Sequence, residues 1–285
     1  MPHDYPGYIG ASDPDEGDRQ ATQEMGALDE LRAALTLHPA PAAARVLELG
    51  CGVGTFTRAL LTAMPDATIL ATERDEKLLA RSRQGLAGFV REGRLRFERA
   101  DANRLPYTPR AFDLVACRCL LMHQPDPFVT VAEMFRATTP GGLALAIEPD
   151  WGARALYPDA EALTDLLMLA RRARPFGFPD VLLGRKLYAL LRAAGYHDIR
   201  IHASAFTETA AERAATVTAE NMAPSGPGRL LEQARSLLLS ARLIEGPALD
   251  ELIARLDAAT RHPEFFSAGI DFAAVAVKPA AGDLG

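Results

Sequence analysis

The chain has 285 residues, 48% of them hydrophobic and 24% charged, enough apolar material to bury a full core as one large domain or as one domain carrying a smaller cap. A formal net charge of -6 supplies no basic field for a phosphate backbone, which argues against nucleic acid as a general partner and in favour of a neutral or mildly polar small molecule. Charges interrupt every Leu/Ala-rich run before it reaches the ~20 apolar residues that a bilayer crossing requires, so no membrane partner is expected.

The opening stretch to about Asp18 is rich in Pro, Gly and Asp and carries neither a basic segment nor an apolar run, so it reads as an arm rather than a secretory leader. In the next segment Met25, Leu28, Leu31 and Leu35 recur at helical spacing, until Pro39 and Pro41 end the helix by removing amide donors. Apolar runs then alternate with helix-period segments. Strands are predicted at Arg45 to Leu49, Thr68 to Thr72, Leu95 to Arg99, Asp113 to Ala116 and Leu143 to Glu148, and helices at Phe56 to Met64, Glu76 to Gly85 and Phe128 to Thr138. Runs without polar alternation suit parallel strands covered on both faces, which makes this a doubly wound α/β sheet. After Glu148 the pattern predicts a proline-rich loop, helices from Asp159 to about Arg174 and from Leu183 to Ala194, and a strand at Ile199 to Ala205. A helical block follows, with Leu249, Leu252, Ile253 and Leu256 as one stripe, before a final strand at Phe272 to Val277. A block of that length between two strands reads as a cap over a site.

Gly50, Gly52 and Gly54 lie directly after a buried strand and before a helix, at the carboxyl edge where open α/β sheets bind ligands. Missing Cβ atoms there allow a tight turn and a close ligand approach. Thr55 stands where a dinucleotide fingerprint wants its third glycine, which weakens a nicotinamide oxidoreductase reading. Glu48 and Glu73 are acids placed to meet a cationic amino-acid end and a ribose, respectively.

Val46 to Thr55, Glu73, Arg99 to Pro106, Phe112 to Val115 and Pro140 to Gly142 together resemble the class I S-adenosylmethionine-dependent methyltransferase family, small-molecule type, over roughly residues 8–150. The resemblance implies a Rossmann-like, seven-stranded doubly wound sheet with the helical cap inserted before the last strand. It implies S-adenosylmethionine as cofactor, leaving as S-adenosylhomocysteine, with Glu48, Gly50, Gly52 and Gly54 holding the methionyl end. Glu73 would then meet the ribose hydroxyls, Asp101 and Ala102 the adenine edge, Arg118 would line the pocket, and Arg74 would belong to the same cofactor site. Tyr8 and Gln23 are similar to residues that close over the cofactor in this family; a purely structural arm is the other reading. The organisation that follows is an arm and lid helix at 1–40, a cofactor-binding core at 41–150, the rest of the core with substrate-side helices at 151–206, the cap at 207–267 and the last strand and tail at 268–285.

His123 is the candidate general base, since its side chain titrates near neutrality and it follows the fourth strand; ordering of its own loop is the other reading. Glu148, Asp150, Trp151 and Tyr157 follow the fifth strand and are candidates to face the acceptor. Cys51, Cys117 and Cys119 lack paired ligand spacing, and no histidine has a partner at metal-ligand spacing, so no metal is expected and the cysteines read as free thiols in a reducing cytoplasm. Arg171, Arg172 and Arg174 read as a solvated helix end, Met122, Met168 and Met222 as core, and a homodimer through the cap helices is possible. The expected activity is methyl transfer to an oxygen, nitrogen or carbon atom of a small, specialised metabolite. The alternative is an S-adenosylmethionine-binding protein that cyclises a ligand or serves as an interaction module.

Overall fold

The computed structural model describes residues 24–216 and 227–280. Helix α1 (Glu24–Leu37) is followed by β1 (Arg45–Leu49), α2 (Thr55–Ala63), β2 (Thr68–Glu73), α3 (Glu76–Gly85), a short α4 (Ala87–Arg91), β3 (Leu95–Arg99) and β4 (Phe112–Arg118). A single 3-10 turn at Leu121–His123 leads to α5 (Pro127–Ala137) and β5 (Thr138–Tyr157). Beyond these lie α6 (Ala160–Ala173), α7 (Leu187–Ala193), β6 (His197–Thr209), α8 (Ala210–Thr216), α9 (Pro227–Gln233), α10 (Arg235–Ser240), α11 (Gly246–Arg261) and β7 (Phe266–Val277).

The seven strands form one sheet in the order β3-β2-β1-β4-β5-β7-β6. Strands β1 to β5 pair in parallel, as their uninterrupted apolar runs require. The chain moves outward from β1 to β2 and β3, then returns to place β4 on the other flank of β1. That reversal is the switch point, and it puts the ends of β1 and β4 beside the crevice where such sheets take ligands. The carboxyl end of β7 meets the start of β5, where the Gly141 amide donates to the Lys278 carbonyl and the Lys278 amide to the Gly142 carbonyl, both at 2.9 Å.

By contacts the described chain divides into two compact units, residues 24–148, 183–204 and 271–280 in one and 149–182, 205–216 and 227–270 in the other. In the first, Val46, Ile69, Ala71, Leu114, Ala116, Leu145 and Ile147 share a cluster with Phe56, Ala59 and Leu60 of α2 and with Ala27, Leu31 and Ala34 of α1. Helix α1 thus belongs to the core on one face of the sheet. Its buried stripe is Ala27, Glu30, Leu31 and Ala34, with Leu28 and Leu35 half-buried, a rotation from the Met25-Leu28-Leu31-Leu35 stripe that residue size suggested. Alanines allow the helix to approach the sheet closely, and Glu30 is drawn inward by an ion pair described below. The helices of this unit start where short acids accept orphan amides: Asp75 from Lys77 and Leu78 for α3, and Asp126 from Phe128 for α5.

The second unit departs further from the sequence expectation. The predicted proline-rich loop after Glu148 is instead strand, because β5 continues through Tyr157, and β7 begins at Phe266 rather than Phe272. The segments Pro149 to Tyr157 and Phe266 to Asp271 carry weak β signals of their own, and their conformation is set by neighbours across the sheet. Gly269 is one reason: a Cβ there would lie 2.5 Å from Phe206 Cζ and 3.1 Å from Arg154 Cγ. The Arg154 guanidinium is flanked by the Trp151 ring at 4.6 Å and the Phe206 ring at 5.2 Å. Helix α6 is capped by Asp159, and Arg255 of α11 reaches both Asp159 and Asp165 at 2.9 Å. The predicted helix at Leu183 to Ala194 is a 3-10 turn at Gly184–Lys186 followed by α7.

Candidate active site

The turn after β1 is built by its glycines. Gly50, Gly52 and Gly54 all lie in the left-handed region, at φ of 67°, 55° and 93°, where a side chain is strained. Space is short as well, since a Cβ at Gly50 would stand 2.8 Å from Leu120 Cδ1 and one at Gly54 2.9 Å from Leu86 Cδ1, so that either leucine would have to shift. The loop is then clamped from β2 and α3. The Cys51 amide donates to the Thr72 carbonyl at 2.9 Å, the Gly52 amide to Glu73 Oε2 at 3.1 Å, and Ser82 Oγ to the Gly52 carbonyl at 2.7 Å. Helix α2 begins at once behind Gly54 with no side-chain cap, so its first amides face the same turn.

Glu48 lies beneath this loop and is 1% exposed. Neither carboxylate oxygen reaches full hydrogen-bonding geometry with a donor among the described residues; the enclosed Thr57 hydroxyl beside it is close enough to act on the carboxylate without satisfying it. Burial pushes the Glu48 pKa up to about 8, with the Thr57 hydroxyl drawing it down and the Glu73 charge raising it further. A buried acid without a donor is costly unless something else supplies the donor. Glu73 is held differently: besides the Gly52 amide on Oε2, its Oε1 accepts from the amides of Arg74 at 2.7 Å and Asp75 at 3.0 Å. These bonds aim the carboxylate across the glycine turn and leave Oε2 with capacity for a hydroxyl.

Side chains on one sheet face alternate, so Glu73 shares a face with Ile69 and Ala71, Glu48 with Val46, and Arg118 with Leu114 and Ala116. Arg118 is ion-paired to Glu30 of α1, Nε to Oε2 at 2.8 Å, both side chains being largely buried. The opposite face carries Glu148, fully buried, which accepts the amides of Leu120 at 2.9 Å and Leu121 at 2.6 Å on Oε1, and of Met122 at 3.4 Å on Oε2. Burial raises its pKa to about 8, against the pull of those amides and of Arg118. Glu148 therefore supports the turn that carries His123, and that turn in turn carries Leu120 against Gly50.

Residues 46–142 match the family described as methyltransferase domain. A trans-aconitate 2-methyltransferase of Variovorax paradoxus is 32% identical over 168 residues, 59% of this chain and 60% of that protein. The chain therefore carries a methyltransferase domain over residues 46–142. It spans about 60% of the length of the curated relatives it matches. Among solved structures, Haemonchus contortus phosphoethanolamine N-methyltransferase 2 in complex with S-adenosyl-L-methionine superposes with a TM-score of 0.56 at 17% identity, covering 95% of this chain and 59% of that one. The [4+2]-cyclase SpnF superposes at 0.50 with 21% identity, covering 89% and 81%. At these identities the structural likenesses establish the fold alone.

Within this methyltransferase fold, the first unit brings together Glu48, Gly50, Gly52, Gly54, Glu73 and Arg118. Asp101 is exposed and closes a turn by accepting the Asn103 amide at 2.9 Å, with Ala102 partly exposed beside it; Arg74 is exposed, its carbonyl accepting from Arg99 Nε at 3.0 Å. His123 is partly buried in its 3-10 turn. Asp150, Trp151 and Tyr157 belong to the second unit: Asp150 is buried and accepts the Gly152 amide at 2.9 Å, Trp151 stacks on Arg154, and Tyr157 is 51% exposed. Tyr8, Gln23 and Met222 lie outside the described residues. Cys117 is buried as expected, whereas Cys119 is only partly so. Arg172 and Arg174 are not simply solvated, since they donate to the carbonyls of Leu243 at 2.9 Å and Phe178 at 3.2 Å. Met168 is 61% exposed rather than core. Sequence reasoning missed Ser82, Leu120 and Glu30. For Glu30 a signal existed: with Ala27, Leu31 and Ala34 it completes an i, i+3, i+4, i+7 stripe, an acid on a face otherwise apolar.

Proposed function

We propose that this chain transfers the methyl group of S-adenosylmethionine to an oxygen, nitrogen or carbon atom of a small organic molecule in the cytoplasm, a specialised metabolite being the substrate class that fits the family type. The observation that carries the cofactor assignment is Glu48, an enclosed carboxylate that no described donor satisfies, beneath a turn whose three glycines all hold left-handed backbone and two of which leave little room for a Cβ. That combination fits a ligand with an ammonium group and a bulky body that must approach the backbone closely. Glu73 would hold the ribose hydroxyls through its carboxylate, Asp101 with Ala102 the adenine edge, and Glu48 with the loop the amino-acid end. Bound there, S-adenosylmethionine supplies an electrophilic methyl on a sulfonium. The residues' work is to hold it in line, exclude water and manage the acceptor's proton.

His123 would take that proton on a ring nitrogen, with Glu148 fixing the turn that presents it. The trans-aconitate and phosphoethanolamine enzymes act on small molecules, which supports an acceptor of that size, and the three free cysteines suit a reducing compartment.

The test is calorimetric titration with S-adenosylmethionine and S-adenosylhomocysteine, with reduced nicotinamide dinucleotide as control, followed by an acceptor screen read as S-adenosylhomocysteine release. Binding of the adenosyl ligands alone and release with an acceptor support the proposal. Binding without release for any acceptor favours a cyclase or interaction role on the same fold, and dinucleotide binding refutes the cofactor. In His123→Ala, turnover should fall while cofactor affinity holds; turnover unchanged across pH leaves the histidine as a loop-ordering group.

A further inference from the structure

The mechanism above leaves one buried charged pair unused, Glu30 on α1 with Arg118 at the end of β4. Its place in the sheet is informative. Parallel register aligns Glu48 with Ala71 of β2 and with Ala116 of β4, so two residues further on, Glu73, Gly50 and Arg118 stand at one level. Glu73 and Arg118 share the α1 face of the sheet and flank Gly50, their backbones about 10 Å apart across two strand spacings. The ligand that straddles Gly50 therefore has a carboxylate on one side and a guanidinium on the other.

Among the described residues that guanidinium makes one hydrogen bond, from Nε to Glu30 Oε2 at 2.8 Å. The Asp271 carboxylate also acts on its charge from a distance, but the terminal nitrogens keep their fork of donors, the arrangement suited to a ligand carboxylate. A long side chain with several rotamers would not hold that fork in one place unaided. Glu30 does so from a position on the apolar stripe of α1, between Ala27, Leu31 and Ala34, where burying an acid has no packing rationale.

We propose that Glu30 is a positioning residue for the cofactor site: it fixes Arg118 so that the terminal guanidinium nitrogens receive the carboxylate of the adenosyl ligand's amino-acid end. The inference rests on the S-adenosylmethionine reading above and adds α1 to the site. Nothing in it requires Glu30 to touch the ligand.

The experiment compares two ligands on wild-type protein and on Glu30→Gln, with circular dichroism and thermal melting to verify folding. S-adenosylhomocysteine carries the amino-acid end; 5′-methylthioadenosine has the same adenosine and thioether without it. Glu30→Gln should weaken S-adenosylhomocysteine by about tenfold, the scale of one misplaced charge-assisted bond, and leave 5′-methylthioadenosine within about twofold. Equal weakening of both ligands, or of neither, overturns the inference, because a merely structural glutamate has no reason to sense the amino-acid end. If Glu30→Gln does not fold, Glu30→Asp retains the charge on a shorter stem and should show the same selectivity at smaller size; a non-selective loss there is equally fatal. Wild-type protein that binds neither ligand refutes the cofactor reading itself, a result distinct from wild-type binding of both with no selectivity in the variants.

Discussion

The unit that contains the glycine turn and the unit that contains α6 and α11 use charge in opposite ways. In the first, acids are buried where packing alone would exclude them: Glu48 on β1, Glu148 on β5, and Glu30 on α1, paired with Arg118 at the end of β4. In the second, Asp150 apart, the principal ion pairs lie at the surface, some between distant segments, as with Arg255 on Asp159 and Asp165, and some local, as with Arg235 on Glu232. Surface pairs are screened and are worth little individually, whereas buried charges are expensive and survive only where a partner or a ligand compensates them. The contrast separates a scaffold decorated with charge from a site built out of it.

The comparison is most easily broken at Glu148. Glu148→Leu leaves three enclosed amides, those of Leu120, Leu121 and Met122, without their acceptor, and should cost about 3 to 5 kcal/mol of stability in denaturant titration. A loss under about 1 kcal/mol would mean that the turn finds other acceptors and that Glu148 does not organise it.

A smaller effect is expected for Glu73→Ala, which keeps the glycines but removes the carboxylate that spans their turn. Adenosyl-ligand affinity should fall by about 1.5 to 3 kcal/mol in calorimetry, and an unchanged affinity in folded protein would remove Glu73 from the site.

Glu48 sharpens the same contrast through pH. Its pKa is raised from the ordinary 4.5 to about 8, so between those values the folded chain holds a proton that the unfolded chain has released. By linkage this group's contribution to stability falls as pH rises across that window. A cationic ligand group favours the charged form, so binding below pH 8 should release up to about one proton and affinity should rise as pH approaches 8. Titration in two buffers of different ionisation enthalpy measures the release, and its absence would mean that Glu48 does not change charge on binding.

The smallest effect belongs to the second unit. Arg255→Ala removes two solvent-screened pairs and should lower the thermal midpoint only slightly. A loss as large as that of Glu148→Leu would erase the distinction between the two units.

Much of the first unit was legible in the chain. Strand runs with no polar alternation, the glycines at 50, 52 and 54, and acids two residues before the turn and at the end of β2 are local patterns, and each maps onto one backbone requirement: a buried parallel strand, a left-handed turn, a carboxylate at the sheet edge. Local patterns determine such features because the physics is local, residing in torsion angles, missing Cβ atoms and side-chain alternation. Tertiary structure alone decided that Glu148 accepts amides 26 to 28 residues earlier in the chain, that Glu30 reaches Arg118 across 88 residues, and that β5 runs on through Pro149 to Tyr157. Those outcomes depend on which elements become neighbours in the sheet. A carboxylate's partner, and the strand character of a segment with weak propensity, are set by what the fold places beside them, and no window along the chain contains both halves of such a contact.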